Sequence, residues 1–227
     1  MDKEKLAKLI DHTLLKPNTL DEQVETLCAE AKEYGFASVC INPSFIPLAK
    51  SRLINTKVKV CTVIGFPLGA NTTRTKLFEA QDALTMGAEE LDYVVNIGDV
   101  LNGRFDLVRA EMQKFSQLKQ DSTNITIKII LETCYLNEEQ IVMLCELARE
   151  TGLDFVKTST GFGSGGATVE HVALMRSTVR QELGVKASGG IRSYNDASKM
   201  IEAGASRIGA SASVAIVNGA ILPDADQ

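Results

Sequence analysis

The sequence predicts an α/β fold, a single (β/α)8 barrel of the TIM type with a short N-terminal helix. Short apolar runs alternate along the chain with amphipathic helical patterns, as βα units of a parallel sheet do. The runs are apolar throughout, which is typical of strands covered on both faces. About eight such units fit into residues 1–227 without a linker or a change in composition. One domain of this length with eight units favours a closed barrel over an open doubly wound sheet.

Each predicted strand is a short apolar run between a helix-ending glycine or a polar turn and a polar loop. The predicted strands are Ile10–Leu14, Ala37–Ile41, Val58–Ile64, Glu90–Asn96, Ile125–Glu132, Leu153–Thr158, Val185–Ser188 and Arg207–Ala210.

The helices between them are predicted from apolar residues at helical spacing and from capping residues. They cover residues 2–9, Leu20–Tyr34, Pro43–Leu53, Thr72–Met86, Phe105–Lys119, Asn137–Thr151, Thr168–Leu183, Ser193–Ala203 and a last helix from about Ser213. Three begin with residue pairs at capping-box spacing, namely Thr19 with Glu22, Asn137 with Gln140 and Ser193 with Asp196. Glycines that end helices stand at positions 35, 87, 152 and 204.

Charge and cysteine content exclude several functions. The formal net charge is -5, and no basic block stands out, so nucleic acid and anionic membranes are poor partners. The first ten residues are charged and amphipathic, unlike a signal peptide, and no run reaches the ~20 apolar residues that cross a bilayer. Five cysteines without a C-x-x-C pair indicate free thiols and a cytoplasmic protein.

The most informative stretch is Leu153–Gly161, where a buried strand ends on Lys157 and enters a hydroxyl-rich loop. Burial disfavours the charged form of a lysine. A neutral amine attacks carbonyl carbons, which is the chemistry of a Schiff-base lysine. The alternative is that Lys157 extends its ammonium group to solvent from the strand end.

Four successive predicted strands each carry an ionisable residue within an apolar run. They are Asp92, Lys128, Lys157 and Lys186. On neighbouring strands of one barrel these side chains would meet inside it, where buried charges must be paired or neutralised. A second ammonium group disfavours charge on the first, and a carboxylate can move protons. The pattern therefore favours imine chemistry, but it does not decide whether Lys157 or Lys186 is the nucleophile.

The last two βα loops indicate a phosphate site. The seventh strand enters Ser188–Arg192, the eighth enters Gly209–Ser213, and a helix follows each loop. Glycines let backbone N–H groups approach an anion, and barrels often bind phosphate at these two loops. The alternative is that the glycines only make tight turns.

Two other patterns suggest different chemistry. Gly161–Gly166 matches G-x-G-x-x-G, but no acidic residue closes the next strand, so a dinucleotide site and an oxidoreductase are weakly indicated. The two histidines, His12 and His171, are too few for a typical zinc site, so we expect no metal. His12 is either a site residue or a structural one.

Eight segments in order over nearly the whole chain resemble the deoxyribose-phosphate aldolase family. They are Ile10–Pro17, Val39–Pro43, Gly65–Gly69, Glu90–Asn96, Lys128–Thr133, Phe155–Phe162, Lys186–Arg192 and Arg207–Ser211. The resemblance implies a class I aldolase, a lyase that needs no cofactor. Its reaction would be the reversible cleavage of 2-deoxy-D-ribose 5-phosphate, in deoxyribose phosphate catabolism. A homodimer is usual for the family.

The resemblance also implies roles for individual residues. The family's Schiff-base lysine falls on Lys157, the second lysine that keeps it uncharged on Lys186, and the proton-shuttling aspartate on Asp92. Further pocket positions fall on Lys128, Glu132, Asp11, Thr13 and Cys40, and phosphate positions on Gly161, Gly189, Gly190, Gly209 and Ser211. Some members have a second serine where this chain has Ala212. A sugar-phosphate-binding barrel without catalysis is the alternative function.

Overall fold

The computed structural model describes residues 1–121 and 124–220, and this part of the chain contains a closed barrel of eight parallel strands in sequence order. The predicted fold class is therefore confirmed. The strands are β1 (Ile10–Leu14), β2 (Ser38–Ile41), β3 (Lys59–Ile64), β4 (Glu90–Val94), β5 (Thr126–Ile130), β6 (Phe155–Lys157), β7 (Gly184–Ser188) and β8 (Arg207–Ala210). Of the predicted domain 1–227, residues 122, 123 and 221–227 lie outside the described residues.

The helices surround the barrel in the order of the chain. They are α1 (Lys3–Ala7), α2 (Asp21–Tyr34), α3 (Ile46–Arg52), α4 (Thr73–Met86), α5 (Ile97–Leu101), α6 (Phe105–Asp121), α7 (Glu138–Thr151), α8 (Val169–Val179), α9 (Tyr194–Glu202) and α10 (Ser213–Asn218). None of these helices is long and apolar enough to cross a membrane.

Capping explains most of the helix ends. The Asn137 side chain accepts from Gln140 N at 2.9 Å, and the Gln140 side chain accepts from Asn137 N at 3.0 Å. The predicted capping box of α7 is therefore confirmed. The predicted box of α9 is confirmed in the same way between Ser193 and Asp196. The cap predicted at Thr19 is wrong. Its hydroxyl donates to Lys16 O, and the Gln23 side chain accepts from Leu20 N instead.

At two other places a residue with a positive φ lies where an element ends earlier than predicted. The strand predicted through Glu132 stops at Ile130, since Glu132 adopts a left-handed φ of 55°. The helix predicted to Leu183 ends at Val179, where Arg180 turns to φ 52°. Helix α5 was not predicted, because five residues are too few to show a helical period.

The hydrophobic core lies between the strands and the helices. Outward-facing strand residues such as Leu91, Ile129 and Val185 are fully buried there. The barrel interior is mostly polar instead, apart from a small cluster of Cys40, Cys61 and Val63. Register then aligns the inward-facing residues: Asp92 on β4 lies beside Lys128 on β5, and Lys157 on β6 lies beside Lys186 on β7.

Candidate active site

Asp92 is the centre of the charged interior of the barrel. Its Oδ1 accepts from Lys128 Nζ at 2.8 Å, and its Oδ2 accepts from Lys157 Nζ at 2.7 Å and from Lys186 Nζ at 2.6 Å. The structure thus brings together the four ionisable residues of the successive strands. The two candidate nucleophiles, Lys157 and Lys186, share one carboxylate oxygen.

A second group of charged side chains lies on the side of Asp92 that faces away from the carboxyl ends of the strands. Asp11 contacts Lys186 Nζ at 2.5 Å and Arg207 at 2.6 Å, and it also accepts from the Ser38 hydroxyl at 2.7 Å. Glu90 contacts Lys128 Nζ at 2.5 Å and Arg207 at 3.4 Å. The two lysine contacts are close ion pairs whose angles are not those of hydrogen bonds.

These contacts fix the charge states of the buried groups. Burial alone would raise the pKa of Asp92, but attraction to Lys128, Lys157 and Lys186 outweighs it and holds the pKa well below 3.8. Burial alone would lower the pKa of Lys186, but attraction to Asp11 and then to Asp92 holds it above its ordinary value. Attraction to Asp92 likewise overcomes burial and raises the pKa of Lys128. Lys128 and Lys186 are therefore ammonium ions at neutral pH.

Lys157 differs from the other two lysines in its access to solvent. Lys128 and Lys186 are fully buried, whereas Lys157 is 3% exposed and lines a cavity of about 310 Å³ at the carboxyl ends of the strands. Its ζ-nitrogen therefore lies between the cavity and Asp92. A carbonyl compound in the cavity meets this amine first.

The cavity wall includes all five residues expected to bind phosphate. Gly161, Gly189, Gly190, Gly209 and Ser211 all line it, together with Thr13, Lys16 and Arg192. Asp11, Cys40, Lys128, Lys186 and Asp92 do not line it, because their side chains are buried beneath its floor. These five residues can therefore influence a bound molecule only through residues that line the cavity, such as Lys157.

The close approach of two loops requires glycine at the cavity rim. A Cβ atom on Gly166 would lie 2.2 Å from the carbonyl oxygen of Gly189, so the backbone of one of the two loops would have to shift. Gly189 itself has φ +84°, a conformation open to glycine at little cost. The glycines of the G-x-G-x-x-G segment thus let the loop after β6 pack on the loop after β7.

The loop after Lys157 is held by Glu132. The Glu132 carboxylate accepts from the backbone N–H of Thr160 at 3.2 Å and from the Thr160 hydroxyl. The Ser188 hydroxyl donates to Ser159 O at 2.5 Å, which joins this loop to β7. Because both partners are buried, these bonds fix the backbone that directly follows the lysine.

His12 lies outside this site. It alternates with Asp11 and Thr13 on β1, and its ring is tilted by 54° to that of Phe36, with the two centroids 5.0 Å apart. The ring nitrogens contact Glu30 at 2.7 Å and Ser213 at 2.9 Å. Burial lowers the pKa of His12, and contact with Glu30 opposes this only in part. Its hydrogen bonds join β1, α2 and α10, so its position is that of a structural residue.

Two groups of side chains have metal-ligand spacing among the described residues. They are Cys40, Cys61 and Asp92, and Asp11, Cys61 and Glu90. Lys128 already donates to Asp92, and Lys186 contacts both Asp92 and Asp11. A metal ion at either group would have to displace ammonium ions that neutralise the same carboxylates, so neither group is a favourable metal centre.

Sequence reasoning missed Glu90, Arg207 and Ser38. Glu90 lies two residues before Asp92, and Arg207 lies two residues before Gly209, so period-two alternation would have placed both inside the barrel. They were missed because a charged residue at the start of a strand is ordinarily solvated.

A family model described as DeoC/LacD family aldolase matches residues 5–222. This chain belongs to the DeoC/LacD family of aldolases. The resemblance stated from the sequence is confirmed.

Curated relatives and solved structures agree with this DeoC/LacD membership. A protein named deoxyribose-phosphate aldolase from Thermoanaerobacter sp. (strain X514) is 60% identical over 212 residues, which cover 93% of this chain and 95% of the relative. One of the same name from Caldanaerobacter subterraneus subsp. tengcongensis is 58% identical, over 93% of this chain and 92% of the relative. A structure described as a tetrameric deoxyribose phosphate aldolase from Aeropyrum pernix has TM-score 0.88 and 36% identity, over 96% of this chain and 91% of that one.

Proposed function

We propose that this DeoC/LacD-family aldolase reversibly cleaves 2-deoxy-D-ribose 5-phosphate to acetaldehyde and D-glyceraldehyde 3-phosphate through a Schiff base on Lys157. The observation that carries the proposal is the position of Lys157, with its amine between the cavity and a carboxylate shared with a second lysine. Curated relatives at 54–60% identity carry the name of this activity.

The first step is addition of the Lys157 amine to C1 of the open-chain sugar. The lone pair forms the C–N bond, and the carbonyl oxygen takes up protons and leaves as water, which yields an iminium ion. Asp92 supports proton movement, since its Oδ2 lies 2.7 Å from the amine. Lys186 holds a fixed positive charge beside the same oxygen, and this disfavours a second charge on the free amine.

The second step is cleavage of the C2–C3 bond. The C3 hydroxyl gives up its proton, its oxygen becomes the carbonyl of glyceraldehyde 3-phosphate, and the C2–C3 electron pair moves into the iminium to form an enamine. The enamine then takes a proton at C2, and water hydrolyses the resulting iminium to acetaldehyde and free Lys157. The buried charges need little reorganisation during these steps, because packing and ion pairs hold them in place.

The phosphate end of the substrate is assigned to the loops after β6, β7 and β8. Gly161, Gly189, Gly190, Gly209 and Ser211 bring backbone N–H groups and a hydroxyl to the cavity wall. Arg192 and Lys16 supply positive charge at the same cavity. A local basic site is needed, because the protein as a whole carries net charge -5.

The homodimer and the cytoplasmic location expected from the sequence stay predictions. The Aeropyrum pernix relative is described as a tetramer, so the assembly of this chain has to be measured by light scattering after size exclusion. The five cysteines are free thiols in the structure, which suits a reducing compartment.

Borohydride reduction in the presence of acetaldehyde, followed by peptide mass mapping, tests the chemistry. A stable two-carbon adduct on Lys157 is expected, and Lys157→Leu should lose turnover while keeping its fold. Lys114→Leu, on the exposed face of α6, is the control for loss of any lysine. An adduct confined to Lys186, or full activity in Lys157→Leu, would refute the assignment.

A further inference from the structure

Six charged side chains inside the barrel form a closed ring in which positive and negative groups alternate. The ring runs from Arg207 to Asp11, Lys186, Asp92, Lys128 and Glu90 and back to Arg207, with contacts between 2.5 and 3.4 Å. We refer to these six residues as the charge ring. Three of its members are cations and three are anions, so the charge ring is neutral by itself.

Lys157 touches the charge ring from outside it. Its ζ-nitrogen lies 2.7 Å from Asp92 Oδ2, an oxygen that Lys186 already approaches to 2.6 Å. Within residues 1–121 and 124–220, Lys157 contacts no other carboxylate. A proton on Lys157 would therefore add an uncompensated positive charge to a buried region, which is unfavourable.

We propose that Arg207 and Glu90, through the charge ring, are positioning residues that set the protonation of Lys157, and this rests on the proposed function. Arg207 contacts both Asp11 and Glu90, so without its positive charge the charge ring would carry one net negative charge. Arg207 is also packed against the Phe155 ring at 5.5 Å, and Gly184 leaves the space that this ring fills. Neither Arg207 nor Glu90 lines the cavity, so both act on the reaction only through other residues.

Other titratable groups face the same interior or the cavity and remain constant in the test. Cys40 on β2 and Cys61 on β3 lie beside Asp92; the hydrogen bond with Cys61 lowers the pKa of Cys40, burial raises the pKa of Cys61, and both thiols are present in every variant. Glu132 is bound to Thr160 at the strand ends, while Lys16 and Arg192 are exposed at the cavity and screened by solvent. None of these groups changes between the variants compared.

The charge count predicts opposite effects of two substitutions. Arg207→Met removes a cation, so a proton on Lys157 then restores neutrality. Glu90→Gln removes an anion, so a proton on Lys157 then leaves two uncompensated charges. The double variant removes one of each and returns the balance of the natural protein. If the two residues had a purely structural role, all three variants would instead lose stability and reaction rate, with no opposite shifts in the pH dependence.

The test measures the rate at which acetaldehyde and cyanoborohydride ethylate the protein between pH 4 and pH 8, with Lys157→Leu as background. Relative to the natural protein, the acid limb of this rate should move up by about one pH unit in Arg207→Met and down by about one in Glu90→Gln. The double variant should lie near the natural position. Arg207→Lys, which keeps the charge, should not move the limb.

Shifts in the same direction, or none in either single variant, would overturn the role of the charge ring. Thermal unfolding monitors the fold of each variant. If Arg207→Met does not fold, Glu90→Gln and Arg207→Lys still decide the question, because a downward shift in one and none in the other is required. If the natural protein forms no adduct on Lys157 at any pH, the proposed function itself fails, which is a distinguishable result.

Discussion

Asp92→Asn should reduce the stability of the protein by several kcal/mol at neutral pH. The carboxylate accepts hydrogen bonds from three lysines at 2.6 to 2.8 Å and is fully buried. Each charge-assisted bond contributes about 1.5 to 3 kcal/mol. Lys186 keeps its contact with Asp11, and Lys128 keeps its contact with Glu90, which limits the loss. We therefore expect a net loss of about 3 to 5 kcal/mol, the range for breaking a buried ion pair.

The measurement is urea-induced unfolding of both proteins at several pH values. The pKa of Asp92 is depressed in the folded state, so its contribution is complete above the ordinary value of 3.8 and is lost as pH falls through the folded value. The difference between the two proteins should thus be constant from about pH 5 to pH 8 and should shrink only in stronger acid.

Asp99→Asn is the matched control for this substitution. Asp99 pairs at 3.2 Å with Arg104, whose side chain is more than half exposed, so the change should alter stability by at most about 1 kcal/mol. A loss below about 1 kcal/mol in Asp92→Asn, or a difference that grows as pH falls, would refute this electrostatic reasoning.

Three further outcomes are expected. His12→Gln should reduce the loss of stability between pH 7 and pH 5. Burial lowers the pKa of His12 below 6.5, so the unfolded chain binds a proton more readily than the folded protein does as the pH falls. Urea-induced unfolding at both pH values measures this loss, and an equal loss in the variant and the natural protein would contradict the prediction. Gly166→Ala should raise KM for the sugar phosphate at least about tenfold and lower stability by about 1 to 3 kcal/mol, since its Cβ would meet Gly189 O at 2.2 Å. Gly103→Ala is the control for backbone strain, because Gly103 has φ +68° but no atom within 4 Å of an added Cβ, so this change should lower stability and leave KM unchanged; equal kinetics in the two variants would refute the role of this packing. Ser211→Ala should weaken inhibition by inorganic phosphate by about 0.5 to 1.5 kcal/mol while acetaldehyde trapping on Lys157 is unchanged, and an equal loss in both assays would contradict a phosphate role.

The sequence predicted the barrel well because both of its periodic signals are strong. Apolar strands and capped helices alternate, and both β1 (Ile10–Leu14) and β8 (Arg207–Ala210) begin and end at the predicted residues. Bounds failed where tertiary contacts override local preference, as at Glu132, whose carboxylate holds Thr160 while its backbone turns out of the strand. The cap at Thr19 failed because its hydroxyl found a nearer partner in Lys16 O.

The candidate site could be predicted only in part. Alternation along single strands placed Asp92, Lys128, Lys157 and Lys186 together, since each lies within an apolar run. The pairing of Asp11 with Lys186 and of Arg207 with Glu90 depends on the closure of the barrel between β1 and β8, which joins residues almost 200 positions apart. Which lysine meets the cavity is likewise a property of the folded structure, because both lysines lie in apolar runs and pair with each other across β6 and β7.

The proposed function and the charge ring together require a neutral amine on Lys157 beside the ammonium groups of Lys128 and Lys186. NMR of the protein with 15N-labelled lysine tests it most directly, with Lys157→Leu used to identify the signal. The account predicts one neutral amine at pH 7 that is missing from the variant, beside ammonium signals from Lys128 and Lys186. Ammonium signals from all three buried lysines at pH 7 would contradict it.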